Sequence, residues 1–245
     1  MKKLVLLTAL SFSYNLIFAQ TSGLNGLLKK ASSTVSGTNN TSGSSLSTDQ
    51  IVQGLKEALN VGAQNSTSKL SAADGFFKDA AVKILMPEEA KKVESTLRSM
   101  GMGKLVDDAI LSVNRAAEDA SKTAAPIFLN AVKGMSVKDA LGVLQGADTA
   151  ATSYLRKTTN SDLTSSFKPV IEQSLQKTNA TKYWSEVFSA YNKVSFKKVD
   201  PDLTNYVTTK ALNGIFYYVG EEEKKIRTNP TAQITDILKQ VFGRK

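Results

Sequence analysis

The chain has 245 residues, no cysteine and no histidine, and a formal charge of +9 from 31 Lys and Arg against 22 Asp and Glu. These absences exclude disulfide staples, a Ser-His-Asp triad, a Cys-His pair, His-ligated zinc or haem, and any imidazole acid-base step. The basic residues are scattered among acids, with no run interleaved with aromatics, so the charge reads as solubility and gives no sign of a nucleic-acid partner.

Residues 1–19, MKKLVLLTALSFSYNLIFA, have the layout of a secretory signal. Lys2 and Lys3 form a basic start, Leu4 to Phe18 an apolar stretch, and Ala19 a small residue at the cleavage position. Asn15, Ser11 and Ser13 interrupt the stretch and argue against a retained membrane anchor. Cleavage near Ala19 would leave about 226 of the 245 residues, and loss of the two lysines would lower the charge from +9 to +7. That length suits one large domain whose stability rests on burial alone. With no cysteine to carry a lipid, the expected mature form is soluble, without a transmembrane span, and periplasmic or secreted. Such a basic chain meets anionic envelope surfaces more readily than nucleic acid. Residues 20–47 are dominated by Ser, Thr, Gly and Asn, which bury too little to offset their ordering entropy, and read as a flexible tether.

From residue 48 the pattern is helical. Ser47 or Thr48 caps a helix carrying Ile51, Leu55, Ala58 and Leu59, expected to run to about Leu70. Phe76 and Phe77 fall in a connection, Pro87 extends Met86 before it and opens the next helix, and Gly101 and Gly103 close that helix. Between Lys104 and Lys133, Val106, Ala109, Ile110, Val113, Ala117, Ala120, Ala124, Ile127, Phe128 and Ala131 share one sector of the wheel. This predicts a long central Ala-rich helix that Pro126 kinks or splits. Ser136 with Asp139 forms a capping signal for a helix stopped by Gly146. Further helices are expected over 148–157, 163–177, 181–194 and 203 to about 227, with a last one capped by Thr231. Strand signals are nearly lacking. The expected fold is all-α, a single domain of eight or nine helices over 48–245.

Three segments carry enough polarity for chemistry. On the long helix, Asn114 and Glu118 share a face with Asp107, while Arg115 and Asp119 share another. As structure these are i,i+4 contacts of about 0.2–0.5 kcal/mol each. Leu111, amid the polar face, points to a covering helix, and a buried Arg115 would need a carboxylate partner. In Glu221-Glu222-Glu223-Lys224-Lys225-Ile226-Arg227, the acid-first pairs Glu221 with Lys225 and Glu223 with Arg227 predict a solvated, self-paired helix end. The third, Asp148 to Arg156, offers hydroxyls with Tyr154 and Arg156. The candidate polar binding patch is therefore Asn114, Arg115, Glu118, Tyr154, Arg156, Glu222 and Arg227. No phosphate loop, zinc spacing, nucleophile elbow or calcium loop accompanies it, so no cofactor and no metal is expected.

GLKEAL at Gly54, PEEAKKVE from Pro87, NRAAE at Asn114, ATSYLR from Ala151, TKYW at Thr181, YVTTKALNGIFYYVGEEEKKIR from Tyr206 and TDILKQVFG at the end together resemble the bacterial domain-of-unknown-function family DUF4197, over about residues 48–243. The resemblance implies an exported, helical Gram-negative envelope protein and transfers no catalytic residue. The expected function is a non-catalytic module that binds a small molecule or an envelope protein. One alternative is a hydrolase of envelope glycans using two acids from Asp107, Glu118, Glu221 and Glu222, and another is a purely structural envelope protein. Nothing in the sequence sets the oligomeric state.

Overall fold

Ser47 starts the described fold. Its hydroxyl accepts the Gln50 N–H while its own N–H donates to the Gln50 side chain, a reciprocal cap from which α1 runs Thr48–Ser71. The computed structural model describes residues 47–194, 202–233 and 235–242. The export signal, the tether before Ser47 and Ile234 lie outside them.

After α1 the chain is irregular through Pro87, makes a 3₁₀ turn over Glu88–Ala90 and enters α2, Lys91–Ser99. Gly101 ends that helix with φ of 79°, a left-handed conformation that glycine adopts without a Cβ penalty. Next come α3 (Gly103–Ser121), α4 (Ala124–Lys133), α5 (Val137–Gln145), α6 (Ala150–Lys177), α7 (Ala180–Val194), α8 (Leu203–Thr228) and α9 (Asp236–Phe242). The described residues thus hold nine α-helices and no strand. The Ser136–Asp139 capping box opens α5 as expected, and the Asp202 side chain accepts the Asn205 N–H to open α8.

Three boundaries differ from the sequence reading. The long helix of 104–133 is split, as Pro126 predicts, but the break falls before the proline, at Lys122 and Thr123. A proline ring clashes with the carbonyl four residues back, and for Pro126 that carbonyl is Lys122's, so the break falls just there. Pro126 then sits in the first turn of α4, where a missing N–H costs nothing. The helices expected over 148–157 and 163–177 are one continuous α6. Leu155, Thr159, Leu163, Phe167 and Ile171, all buried, hold one line along it, and Thr158, Thr159 and Thr164 return their hydroxyls to carbonyls four residues back. Finally, α9 is capped by the Thr235 hydroxyl, which accepts the Leu238 N–H at 3.3 Å, while Thr231 lies in a 3₁₀ turn over Pro230–Ala232.

Helix α3 is central, packed against α1, α2, α6, α7 and α8. Its fully buried Ala109, Ala116, Ala117 and Ala120 let those neighbours approach closely. Beside it, Phe76, Phe128, Phe167 and Phe216 are fully buried, with Phe128 and Phe216 meeting edge to face at 5.7 Å. Each such ring stabilises the fold by about 1.5–3 kcal/mol relative to exposure. Burial on α3 also reaches well beyond the predicted apolar sector: Ser112, Asn114, Glu118 and Ser121 are buried too.

Candidate functional site

The buried polar residues of α3 explain the irregular segment between α1 and α2. Asp74 follows α1 with φ of 68°, and at Gly75 a Cβ would lie 2.4 Å from the Lys69 carbonyl, so only glycine makes this turn. The turn aims the N–H groups of Phe76 and Phe77 at one oxygen of Glu118, both at 3.1 Å. Phe76 then packs against Gly214 of α8, where an added Cβ would meet its ring at 2.6 Å. Further on, Asn114 accepts the Ile84 N–H and donates to the Ile84 carbonyl, each at 2.8 Å, and donates again to Ile110 of its own helix.

Arg115 completes the group. It donates to the second oxygen of Glu118 and to Asp74, each at 2.7 Å. These are the carboxylate partners that its position on a covered face requires. The Glu118 hydrogen bond, ahead of that from Asp74, raises the Arg115 guanidinium above its ordinary range. Asp74 is lowered, by Lys78 first and then by Arg115. A second knot ties the same segment to α1 and α8: Lys69 donates to the Tyr218 hydroxyl at 2.6 Å, and both pair with Asp79. Burial raises the Tyr218 phenol, with Asp79 adding to it.

Beside this group a cleft of about 300 Å³ opens where α1, α3 and α6 end. Ser71, Arg115, Glu118, Asp119, Lys122, Ser174, Lys177 and Thr178 line it with Ala73. Asp119 accepts from Lys122 at 2.8 Å and from the Ser174 hydroxyl, and these two bonds hold its carboxyl below the ordinary range. Lys177 is exposed at the rim and has no ion-pair partner among the described residues.

The segment Glu221 to Arg227 does not form the solvated end expected of it. Glu223 is buried at 5% side-chain exposure and Arg227 is largely covered at 12%, the two joined at 2.9 Å. Glu223 accepts the N–H groups of Ala151 and Thr152 and the Thr152 hydroxyl at 2.7–2.9 Å, so a carboxylate on α8 caps the N-terminus of α6. Arg227 donates to the Val143 carbonyl at 2.9 Å, at the end of α5. Lys225 pairs with Glu222 rather than Glu221, and Glu222 also accepts from Asn65 at 2.9 Å. The gap beside this pair is apolar, lined by Leu59, Ala63, Val219 and Phe242 among others, and at about 20 Å³ it has room for a single water.

The seven candidate residues therefore do not form one patch. Asn114, Arg115 and Glu118 act together on the segment after α1. Arg227 belongs to the α5–α6–α8 junction, with Glu222 on the neighbouring surface. Tyr154 is half-buried against the core, and burial raises its phenol. Arg156 lies 4.4 Å from the Phe216 ring centre and donates to Asn213. The residues that sequence reasoning missed are Asp74, Lys122, Ser174 and Lys177 around the cleft, and Glu223 as a cap; Asp119, which the sequence sets on one face with Arg115, falls outside the candidate patch. Only the Asp74-Gly75 turn dipeptide signalled any of them locally.

Among the described residues no group of three or more Asp or Glu is placed to hold a metal ion, and no helix is long and apolar enough to cross a membrane. Compared with known sequences, residues 45–243 match the model of a family described as protein of unknown function (DUF4197). No curated protein and no solved structure matches the chain.

Proposed function

The chain belongs to the DUF4197 family, and from that premise we propose that it is a non-catalytic binding module of the bacterial envelope, taking a small ligand with an anionic group in the cleft between α1, α3 and α6. The observation that carries the reading is the contrast inside that cleft. Its acids are spent, Glu118 on two backbone N–H groups and Arg115, Asp119 on Lys122 and Ser174. Its exposed cation Lys177 adds to the field on Asp119 but makes no ion pair of its own among the described residues. A volume of about 300 Å³ suits a small molecule. The layout of residues 1–19 supports export.

The same facts weigh against glycan hydrolysis. That chemistry needs two carboxyl groups about 5–10 Å apart across a cleft, one of them able to hold a proton. No two of Asp107, Glu118, Glu221 and Glu222 line either described cleft, and Asp107 is paired with Arg98 at 2.7 Å. Asp119 is held ionised.

Native mass spectrometry of the protein purified from its own envelope fraction tests the reading. A bound small mass that is lost in the Lys177→Glu variant is expected. Bare polypeptide from the wild type, or retention of the mass by the variant, overturns it.

A further inference from the structure

A different surface, independent of the cleft, carries its own chemistry. Between Lys122 and Gly146 the chain has one carboxylate, Asp139, and that one is turned back on Ser136 N–H and hydroxyl. The same stretch forms the α4–α5 hairpin. The hairpin exposes Leu129 on α4 at 38% and Val137 at the start of α5 at 47%, two of the few large apolar side chains left open in the described fold. Lys133 follows Leu129 by one helical turn, and Lys138 follows Val137, both exposed.

The flanking helices bring two more lysines to the hairpin. Lys56 of α1 reaches across and donates to the Lys133 carbonyl at 3.1 Å. Lys157 of α6 lies close enough to Asp139 to share its field with Lys138. None of the four lysines is within ion-pair distance of an acid among the described residues. Lys69, Lys78, Lys91, Lys104, Lys122 and Lys225 each hold a carboxylate. Lys92, Lys168, Lys177 and Lys224 are exposed without an ion pair among the described residues as well, so what sets the hairpin apart is that its whole stretch holds a single acid, already turned back on Ser136.

We infer that the α4–α5 hairpin is a docking surface for an anionic phospholipid bilayer, with Lys56, Lys133, Lys138 and Lys157 facing the headgroup phosphates and Leu129 and Val137 entering the interface. Charge complementarity selects the partner. Unpaired lysines around a small apolar edge match a surface that is negative outside and apolar just beneath, and attraction of this kind grows with each lysine near the membrane. A folded protein partner would have to offer several unpaired acids around an apolar seat, whereas a bilayer offers phosphates at any register. The surface would bind peripherally and reversibly, because two half-exposed side chains cannot anchor a chain on their own.

Vesicle co-sedimentation tests this, using the purified protein and variants in one background. Mixed phosphatidylglycerol–phosphatidylcholine vesicles should retain the wild type at low salt, and phosphatidylcholine vesicles should not. Lys133→Glu with Lys138→Glu should cut retention about tenfold or more, since the double reversal removes two attractions and adds two repulsions. Lys168→Glu with Lys210→Glu makes the same change in net charge on α6 and α8, outside the hairpin, and should change retention less than about twofold. Far-UV circular dichroism checks that all variants fold, as expected for exposed positions. Equal losses from the two double variants, or no retention of the wild type, would overturn the docking surface. So would inorganic phosphate that releases the protein at constant ionic strength, because that would mark a discrete anion site instead of a bilayer surface.

Discussion

Glu118 on α3 and Glu223 on α8 each accept two backbone N–H groups from a segment remote in sequence, and each is held by an arginine of its own helix. They differ in what the far side of the guanidinium meets. Arg227 turns to the carbonyls at the end of α5 and keeps 12% of its side-chain exposure, whereas Arg115 turns to Asp74 at the protein surface and keeps 35%. The first joint is sealed, and every charge in it is answered inside the fold. The second has a wet edge, and the polar cleft lies along that edge. One chemistry thus yields a purely structural junction or a junction with an accessible rim, according to whether carbonyls or water complete the arginine.

The comparison is broken most directly by removing the acids. Glu223→Ala leaves Arg227 buried without its partner and should cost about 3–5 kcal/mol, read from urea unfolding. Glu118→Ala leaves Arg115 with Asp74 and solvent, so its cost should be about 1–3 kcal/mol, from the two uncapped amides. If Glu118→Ala proves the more damaging, depth of burial does not rank the two joints. Asn114→Ala should likewise cost about 1–3 kcal/mol for the orphaned Ile84 groups. It should also speed amide exchange at Ile84 while leaving Ala151 and Thr152 protected, and uniform acceleration would show that the two regions open together.

Acid should separate them further. Asp74 and Asp119, on the wet side, both have lowered native values, so the unfolded chain binds more protons than the native one as the pH falls. The stability they give is complete above the ordinary carboxylate value of 3.8 and is lost as the pH drops through their lowered native values. Asp119→Asn should therefore flatten the fall in unfolding midpoint from about pH 5 to about pH 3. The smallest effect belongs to Lys122→Ala, an exposed partner of Asp119 worth about 0–1 kcal/mol by thermal unfolding.

Caps were legible in the chain because they are local. Ser47, Ser136 and Asp202 each satisfy an amide three residues on, and their side chains announce it. The Ala face of α3 was legible for the same reason, being a pattern within one helix. The join within α6 was not. Lys157-Thr158-Thr159-Asn160-Ser161 has the composition of a turn, yet its threonine hydroxyls bond within the helix and Leu155, Thr159 and Leu163 are covered by neighbours.

The candidate site was half-legible. Arg115's need for a carboxylate followed from Leu111 on its face, but Phe76 and Ile84 lie 42 and 30 residues before their acceptors. The pairing of Glu223 with Arg227 could be read, and its depth could not. Six charged residues in seven look solvated until α5 and α6 close over two of them.

Asn114 has one more consequence, for solubility. The segment from Val82 to Met86 is the kind of apolar, non-helical backbone on which a second chain can add a strand, wherever its N–H and C=O groups stand free. The Asn114 amide occupies both groups of Ile84 as a neighbouring strand would, and the Tyr206 hydroxyl donates to the Leu85 carbonyl at 2.7 Å. Helix α3 thereby supplies a false partner strand made of one side chain, and the middle of this apolar stretch is already paired.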